Sequence, residues 1–468
     1  MNTILFGFFI YLLIVLGIGI WTYRLTKTQE DFIIAGRKLN PIVTAFSERA
    51  SGESAWLLLG LPGAVFAIGL IEIWVALGCI IGIILAWYLI ASDLRIKSEE
   101  NGALTIPEFF SRNFGLEDRK IELLATFIVI FFYSFYISAQ FNGAGKTLNV
   151  SFGIPHFTGM VIGASVIVIY TLLGGFFAVA WTDFFQAIIM IITLVILPIV
   201  GLFAFLKSGN SLDLSFKTLV GNKRGIDALM GVLGGLSWAF GYLGQPHTIV
   251  RFMAIKDPRK IKTSRAIAIW WSFPAFLGAF LIGVVGRGLI SQNTLKDPEQ
   301  LMPYLATSLF PLWLAGILIS GAIAAMMSTA DSQLLVISSS FSEDIYHDLF
   351  RRKISEKAQL FASRIITMLV GVAAFILALL SKHLIFATVA FAWCGLGASF
   401  GPALLLTLKW KKTNKNGVML GMLTGFLSTI LWKLVPLLNE LINERIATFA
   451  LGTIGVILGS LLTTRRKV

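Results

Sequence analysis

Thr44-Ala45-Phe46-Ser47-Glu48-Arg49-Ala50-Ser51-Gly52-Glu53-Ser54-Ala55-Trp56 places three ionisable residues and four hydroxyls inside a segment otherwise apolar enough to cross a membrane. Charge near the middle of a bilayer costs roughly 3 kcal/mol or more unless it is paired or hydrated. A second unusual stretch holds Gly234-Gly235 and then Ser237-Trp238-Ala239-Phe240-Gly241-Tyr242-Leu243-Gly244-Gln245-Pro246. Glycine and proline let a helix open, and the freed carbonyls then face a cavity instead of lipid. The two breaks lie five apolar segments apart. That spacing is the sequence sign of two inverted five-helix repeats with a binding site at their junction. Glycine pairs alone, such as Gly174-Gly175, read more readily as close helix packing. Charge inside the first break is what favours a site.

The rest of the chain fits this reading. Of 468 residues, 56% are hydrophobic and only 13% charged, where a soluble protein carries about 25% charged. A disordered chain, a disulfide-built secreted domain and a conventional soluble enzyme are excluded. A spanning helix needs about 20 apolar residues. Thirteen such segments are expected near 5–24, 40–60, 67–91, 122–142, 157–179, 184–206, 230–250, 267–289, 310–340, 361–380, 384–408, 417–436 and 446–463. The first carries no basic stretch before its apolar run, so it reads as a retained span and not as a cleaved signal. No hydrophilic module divides the chain or is appended to it, so a single transporter domain is expected over 1–468. Within it, 1–39 would be an extra N-terminal helix and loop, 40–410 the repeat core, and 411–468 two C-terminal helices with a short tail.

The formal charge of +13 is mainly an orientation code. Basic residues cluster after odd-numbered segments, as in Arg24, Lys27, Arg37 and Lys38, in Arg251 to Arg265, in Arg351 to Lys357, and in Arg465 to Lys467. Cytoplasmic loops are the ones enriched in Lys and Arg, so the N-terminus is expected outside and the C-terminus inside, in a plasma or inner membrane. No basic-aromatic module suggests nucleic acid. Cys79 and Cys394 sit in apolar segments and read as small core residues.

The informative charges are the few left inside the spans. Arg49 and Glu53 are four apart, so they pair if that turn is helical; an internal pair and a coupling role both stand. Asp183 opens the sixth segment and alone reads as a helix cap. In Met327-Ser328-Thr329-Ala330-Asp331-Ser332-Gln333, Ser328, Asp331 and Ser332 share one helical face, and their oxygens suit a hard cation such as Na⁺. Tyr136, Trp238 and Tyr242 are either packing residues or walls of a cavity. His247, following Pro246, reads as a helix-end or interface residue. No nucleophile-base set suggests an enzyme.

At these motifs the sequence resembles the sodium/solute symporter family, and within it the bacterial sodium/proline symporters, over nearly the whole chain. Trp56-Leu57-Leu58-Leu59-Gly60-Leu61-Pro62-Gly63-Ala64, Gly174-Gly175-Phe176 with Trp181-Thr182-Asp183, and Gly241 to His247 carry the resemblance. Met327-Ser328-Thr329, Ser342-Glu343-Asp344-Ile345-Tyr346 and Gly401-Pro402 add to it. The resemblance implies an all-α polytopic membrane protein with a LeuT-type 5+5 inverted-repeat core, importing a small solute with sodium. It implies a primary Na⁺ held by carbonyls of Ala50, Glu53 and Ala325 and by hydroxyls of Ser328 and Thr329. A second Na⁺ would lie at Asp183, Ser328, Asp331 and Ser332. Proline-site positions would be Tyr136, Trp238, Tyr242 and Pro246, with Gly52, Glu53 and Ala55 from the first break. Arg37 matches an arginine linked to coupling. The chain departs from the pattern where Gly52 replaces an Asp, Glu53 an apolar residue, and Asp331 a small hydroxyl residue. Glu53 then substitutes for the missing Asp, pairs with Arg49, or selects another solute. L-Proline is the leading solute. Another amino acid, pantothenate, a sugar or sialic acid is the alternative, with a transporter-derived sensor a remote one.

Overall fold

The computed structural model describes residues 2–23, 28–114, 119–212, 215–341, 356–381 and 384–463. Arg24, Lys27, the Ser342 to Tyr346 motif, Arg351 to Lys353, and the final Arg465, Arg466 and Lys467 lie outside the described residues. Helices dominate, and among the described residues the only extended pairing is an isolated bridge between Leu39 and Ile255. Nine of these helices are long and apolar enough to cross a membrane, or ten if a pair bent by 45° between Tyr242 and Pro246 counts as one span. The segments near 5–24, 40–60 and 157–179 form shorter apolar helices, over Phe6–Thr22, Trp56–Ala67 and His156–Ile169.

Both expected breaks are present. Pro41–Gly52 starts cleanly because Pro41 is its first residue and the Asn40 side chain accepts from the amides of Ile42 and Val43. It ends at Glu53, whose φ/ψ of −108°/82° leaves the helix, and the chain resumes as a wide turn at Trp56–Gly60 and a helix at Leu61–Ala67. The second break separates Gly225–Leu236 and a short Ala239–Tyr242 turn from Pro246–Ala254, with Gln245 extended between them.

The fifth and sixth segments differ from expectation. They form one run, His156–Ser208, kinked at Gly175 (φ 59°) and not near residues 180–183. Phe32 is the reason: a Cβ on Gly175 would lie 2.7 Å from its Cδ2, so glycine supplies both the left-handed backbone and the seat. Asp183 is therefore mid-helix and is not a cap.

Two polar ties hold opposite ends of the bundle. At one end residues 28–40 form a strap. Thr28 and Asp31 cap each other across its first turn, and Ala35, Gly36 and Arg37 follow with φ of 52°, 53° and 51°. Arg37 then donates to Ser98 Oγ, Met253 O, Ser98 O and Ala103 O at 3.1, 2.9, 3.0 and 2.6 Å. Burial, with Arg95 adding to it, lowers the pKa of this guanidinium from its ordinary value. At the other end Glu299 accepts from the amides of Ile385 and Phe386, at 2.9 and 2.8 Å, and so caps Ile385–Lys409. Lys146 pairs with both Glu299 and Asp297.

Candidate functional site

The first break opens carbonyls that neighbouring helices then use. Ser328 Oγ donates to the carbonyls of Ala50 (2.9 Å) and Ala325 (3.1 Å), and Thr329 Oγ1 donates to that of Ser51 (2.9 Å). The helix Leu312–Ser340 thus presents two hydroxyls to the unwinding end of Pro41–Gly52. Five oxygens gather there without any carboxylate among them. Ser51 O belongs to the set through Thr329, while the Glu53 side chain faces Arg49 and Tyr242.

Two charged groups flank this oxygen set, each made of two carboxylates and one guanidinium. In the first, Arg49 bonds both carboxylate oxygens of Glu48 and reaches Glu53 Oε1 at 2.8 Å. Tyr242 donates to Glu53 (3.0 Å) and Trp87 Nε1 to Glu48 (3.1 Å). Of the three readings of Glu53, the pair with Arg49 is the one formed here. In the second group, Arg251 Nη2 meets Asp183 Oδ2 at 3.1 Å and Ser332 Oγ at 2.5 Å, and Nε meets Ser47 Oγ at 3.2 Å. Ser51 Oγ donates to Asp183 Oδ2 at 3.0 Å, and Ser332 Oγ to Asp331 Oδ1 at 3.2 Å. Asp183 Oδ1 and Asp331 Oδ2 are buried without a hydrogen-bond partner. All six ionisable side chains are at most 2% exposed. Each group carries one more carboxyl than guanidinium, so its second carboxyl is balanced only by a proton or by a further cation.

An aromatic layer closes the site on the Glu299 side. Trp56 stacks on Trp238 with ring centroids 5.1 Å apart and planes at 23°, and Phe386 lies 5.1 Å from Trp238. Trp393 faces Tyr242 at 4.7 Å and Tyr136 at 6.3 Å. This approach requires glycine at 241, where a Cβ would fall 1.7 Å from Trp393 Nε1. Gly241→Ala should cost about 1–3 kcal/mol through overpacking, read as a lower unfolding temperature of the purified protein. An unchanged unfolding temperature would disprove this packing. Toward the strap, Pro246, Val250, Ile33, Leu104, Leu335 and Ser340 line a narrow cleft.

Most of the expected residues therefore converge. Ala50, Ala325, Ser328 and Thr329 form one set; Asp183, Asp331 and Ser332 a second; Tyr136, Trp238 and Tyr242 a third around Trp393. Gly52 lies beside Arg49, whose Nη2 would be 3.6 Å from an added Cβ, and Ala55 donates its amide to Gln140 Oε1 at 3.1 Å. Pro246 lines the cleft, and Arg37 stands apart in the strap. One expectation needs correction: Arg251 is no surface cation but a fully buried one. His247 is at a helix end, second in Pro246–Ala254, but buried, and its ring contacts Tyr133 OH and Ser51 O at 2.9 and 3.1 Å. Ser47, Ser51 and Trp393 were missed. Arg251 had a legible signal, since Ile249-Val250-Arg251-Phe252-Met253 isolates one charge in an apolar run.

A helical membrane protein with two broken helices and oxygen ligands at their junction is the architecture of a secondary transporter. The chain belongs to the sodium:solute symporter family, whose model matches residues 32–425. It is 39% identical to the high-affinity proline transporter PutP of Bacillus subtilis (strain 168) over 459 residues, 95% of each chain. It is 35% identical to the sodium/proline symporter of Escherichia coli (strain K12), covering 97% of this chain and 92% of that one. Among solved structures, a substrate-bound, outward-open Na⁺-coupled sialic acid symporter superposes with a TM-score of 0.81 at 17% identity, covering 98% of this chain and 97% of that one. With MhsT in complex with L-phenylalanine (TM-score 0.56, 15% identity, 91% and 98% covered), this likeness gives the fold as LeuT-type.

Proposed function

We propose that the protein is a sodium-coupled importer of L-proline working by alternating access. The observation that carries the reading is the oxygen set in which Ser328 and Thr329 meet the carbonyls of Ala50, Ala325 and Ser51. Neutral oxygens at a helix break suit a hard monovalent cation, and the nearby excess carboxylates favour its entry. Sodium there would hold Pro41–Gly52 against Leu312–Ser340 and complete the solute cavity between Gly52 to Ala55 and Trp393, Tyr136, Trp238 and Tyr242. The names of the relatives support proline as the solute.

The remaining parts of the reading follow from the sequence. Thirteen spans, counting each broken pair once, put the N-terminus outside and the C-terminus in the cytoplasm of the plasma or inner membrane. The strap and the Pro246 cleft then face the cytoplasm, and the aromatic layer faces outward. The repeat core covers 40–410, with 1–39 and 411–468 outside it. Arg37, tied to the end of Pro246–Ala254, couples closure of the strap to the second break. Asp183, Asp331 and Ser332 form a second cation-attracting group.

Proteoliposomes containing the purified protein should accumulate labelled L-proline only under an inward sodium gradient. Failure of proline to accumulate, or equal accumulation without a sodium gradient, would overturn the reading.

A further inference from the structure

We propose that Arg251 is the stand-in cation of the sodium-free carrier, a positioning residue that allows the empty protein to return for the next solute. The proposal rests on the symporter reading and adds a role for a side chain that reading leaves unused. Arg251 projects from Pro246–Ala254 and ties three other helices to it. Its partners are Ser47 on Pro41–Gly52, Asp183 on His156–Ser208 and Ser332 on Leu312–Ser340. It also bonds the carbonyl of His247 and lies 5.0 Å from the Phe176 ring centroid. The side chain is fully buried.

Counting cations around Asp183 and Asp331 gives the argument. With no sodium bound, Arg251 is the one cation in contact with either carboxylate among the described residues. The sodium oxygen set is a direct neighbour of this group, because Ser51 belongs to both: its carbonyl accepts from Thr329 and its hydroxyl donates to Asp183. A loaded carrier therefore has two cations near two carboxylates, and an empty one has a single cation. Remove Arg251, and the loaded carrier keeps one while the empty carrier has none. Without a cation, these two buried carboxyls must either hold charge at a strong cost or take up protons before the carrier can reorient. The loss falls on the empty carrier far more than on the loaded one.

A symporter uses these states unequally. Net uptake requires the empty carrier to reorient in every cycle, whereas exchange of labelled for unlabelled solute with sodium on both sides uses loaded states alone. Arg251→Gln in proteoliposomes should lower net sodium-driven L-proline uptake at least about tenfold, while exchange at saturating sodium falls less than about threefold. A tenfold change in a rate corresponds to 1.36 kcal/mol, well within what an unpaired buried charge imposes. Arg251→Lys, which keeps the charge but not the fork, should keep the ratio of uptake to exchange near that of the unaltered protein. The double variant Arg251→Gln with Asp331→Asn removes one carboxylate with the cation, and should move the ratio back toward normal.

An equal fall of uptake and exchange at matched membrane levels would mean that Arg251 is only structural, and would sink the proposal. A double variant with a ratio as low as that of Arg251→Gln alone would do the same, and serves if the single variant does not fold. If the unaltered protein neither accumulates nor exchanges proline with sodium, the symporter reading fails, and the exchange ratios have no bearing on that.

Discussion

Ser328→Ala and Thr329→Ala are expected to raise the sodium concentration for half-maximal proline uptake by roughly 10- to 100-fold, with little change in membrane level. Each hydroxyl is a neutral oxygen held against a carbonyl of the first break, at 2.9 Å in both cases. An interaction between a charged group and such an oxygen contributes about 1.5–3 kcal/mol. That range sets the expected shift. Folding should be less affected, because the Ala50 and Ser51 carbonyls lose one neutral hydrogen bond each and His247 still reaches Ser51. Sodium-activation curves for variants reconstituted at equal density decide the matter. Unchanged sodium dependence in both variants would remove the oxygen set as the sodium site.

Arg49→Met should have the opposite profile: a collapse of stability with no specific change in sodium affinity. Arg49 holds two carboxylates, Glu48 and Glu53, with all three side chains at most 2% exposed. Removing one partner of a buried ion pair costs about 3–5 kcal/mol, because it strands the other charge. That is a large share of the roughly 5–15 kcal/mol by which a domain is stable. The variant should be scarce in the membrane and unfold at markedly lower temperature in detergent. The triple variant with Glu48→Gln and Glu53→Gln should recover much of the loss. A single variant as stable as the unaltered protein would show that the group is not held by its charges.

The architecture was legible because the breaks announce themselves: charge at Glu48 to Glu53, and glycine with proline from Gly234 to Pro246, have no comfortable place in a lipid-facing helix. The oxygen set was legible by the same logic, through Ser328 and Thr329. Pairing was not. Whether Glu53 turns to Arg49 or toward the neutral oxygen set depends on where Tyr242 lands, and those residues are 189 positions apart. Arg251 was read with the loop cations that follow it, because a positive residue near a helix end is normally hydrated; its burial depends on Asp183 and Ser332 from two other helices. Asp183 was misplaced because the real kink is set by Phe32, a contact across more than 140 residues that no local pattern displays.

The stacked layer of Trp56, Trp238, Phe386 and Trp393 has a consequence of its own. This closure on the Glu299 side is made mainly of flat apolar surface, so opening it hydrates rings more than it separates charges. Exposure of apolar surface carries a positive heat-capacity change, and the attraction between such surfaces weakens on cooling. The balance between the two faces of the carrier is therefore tied to temperature through water. Cooling favours the arrangement open on the Glu299 side, and the binding enthalpy of any ligand that selects that arrangement should slope with temperature instead of staying constant.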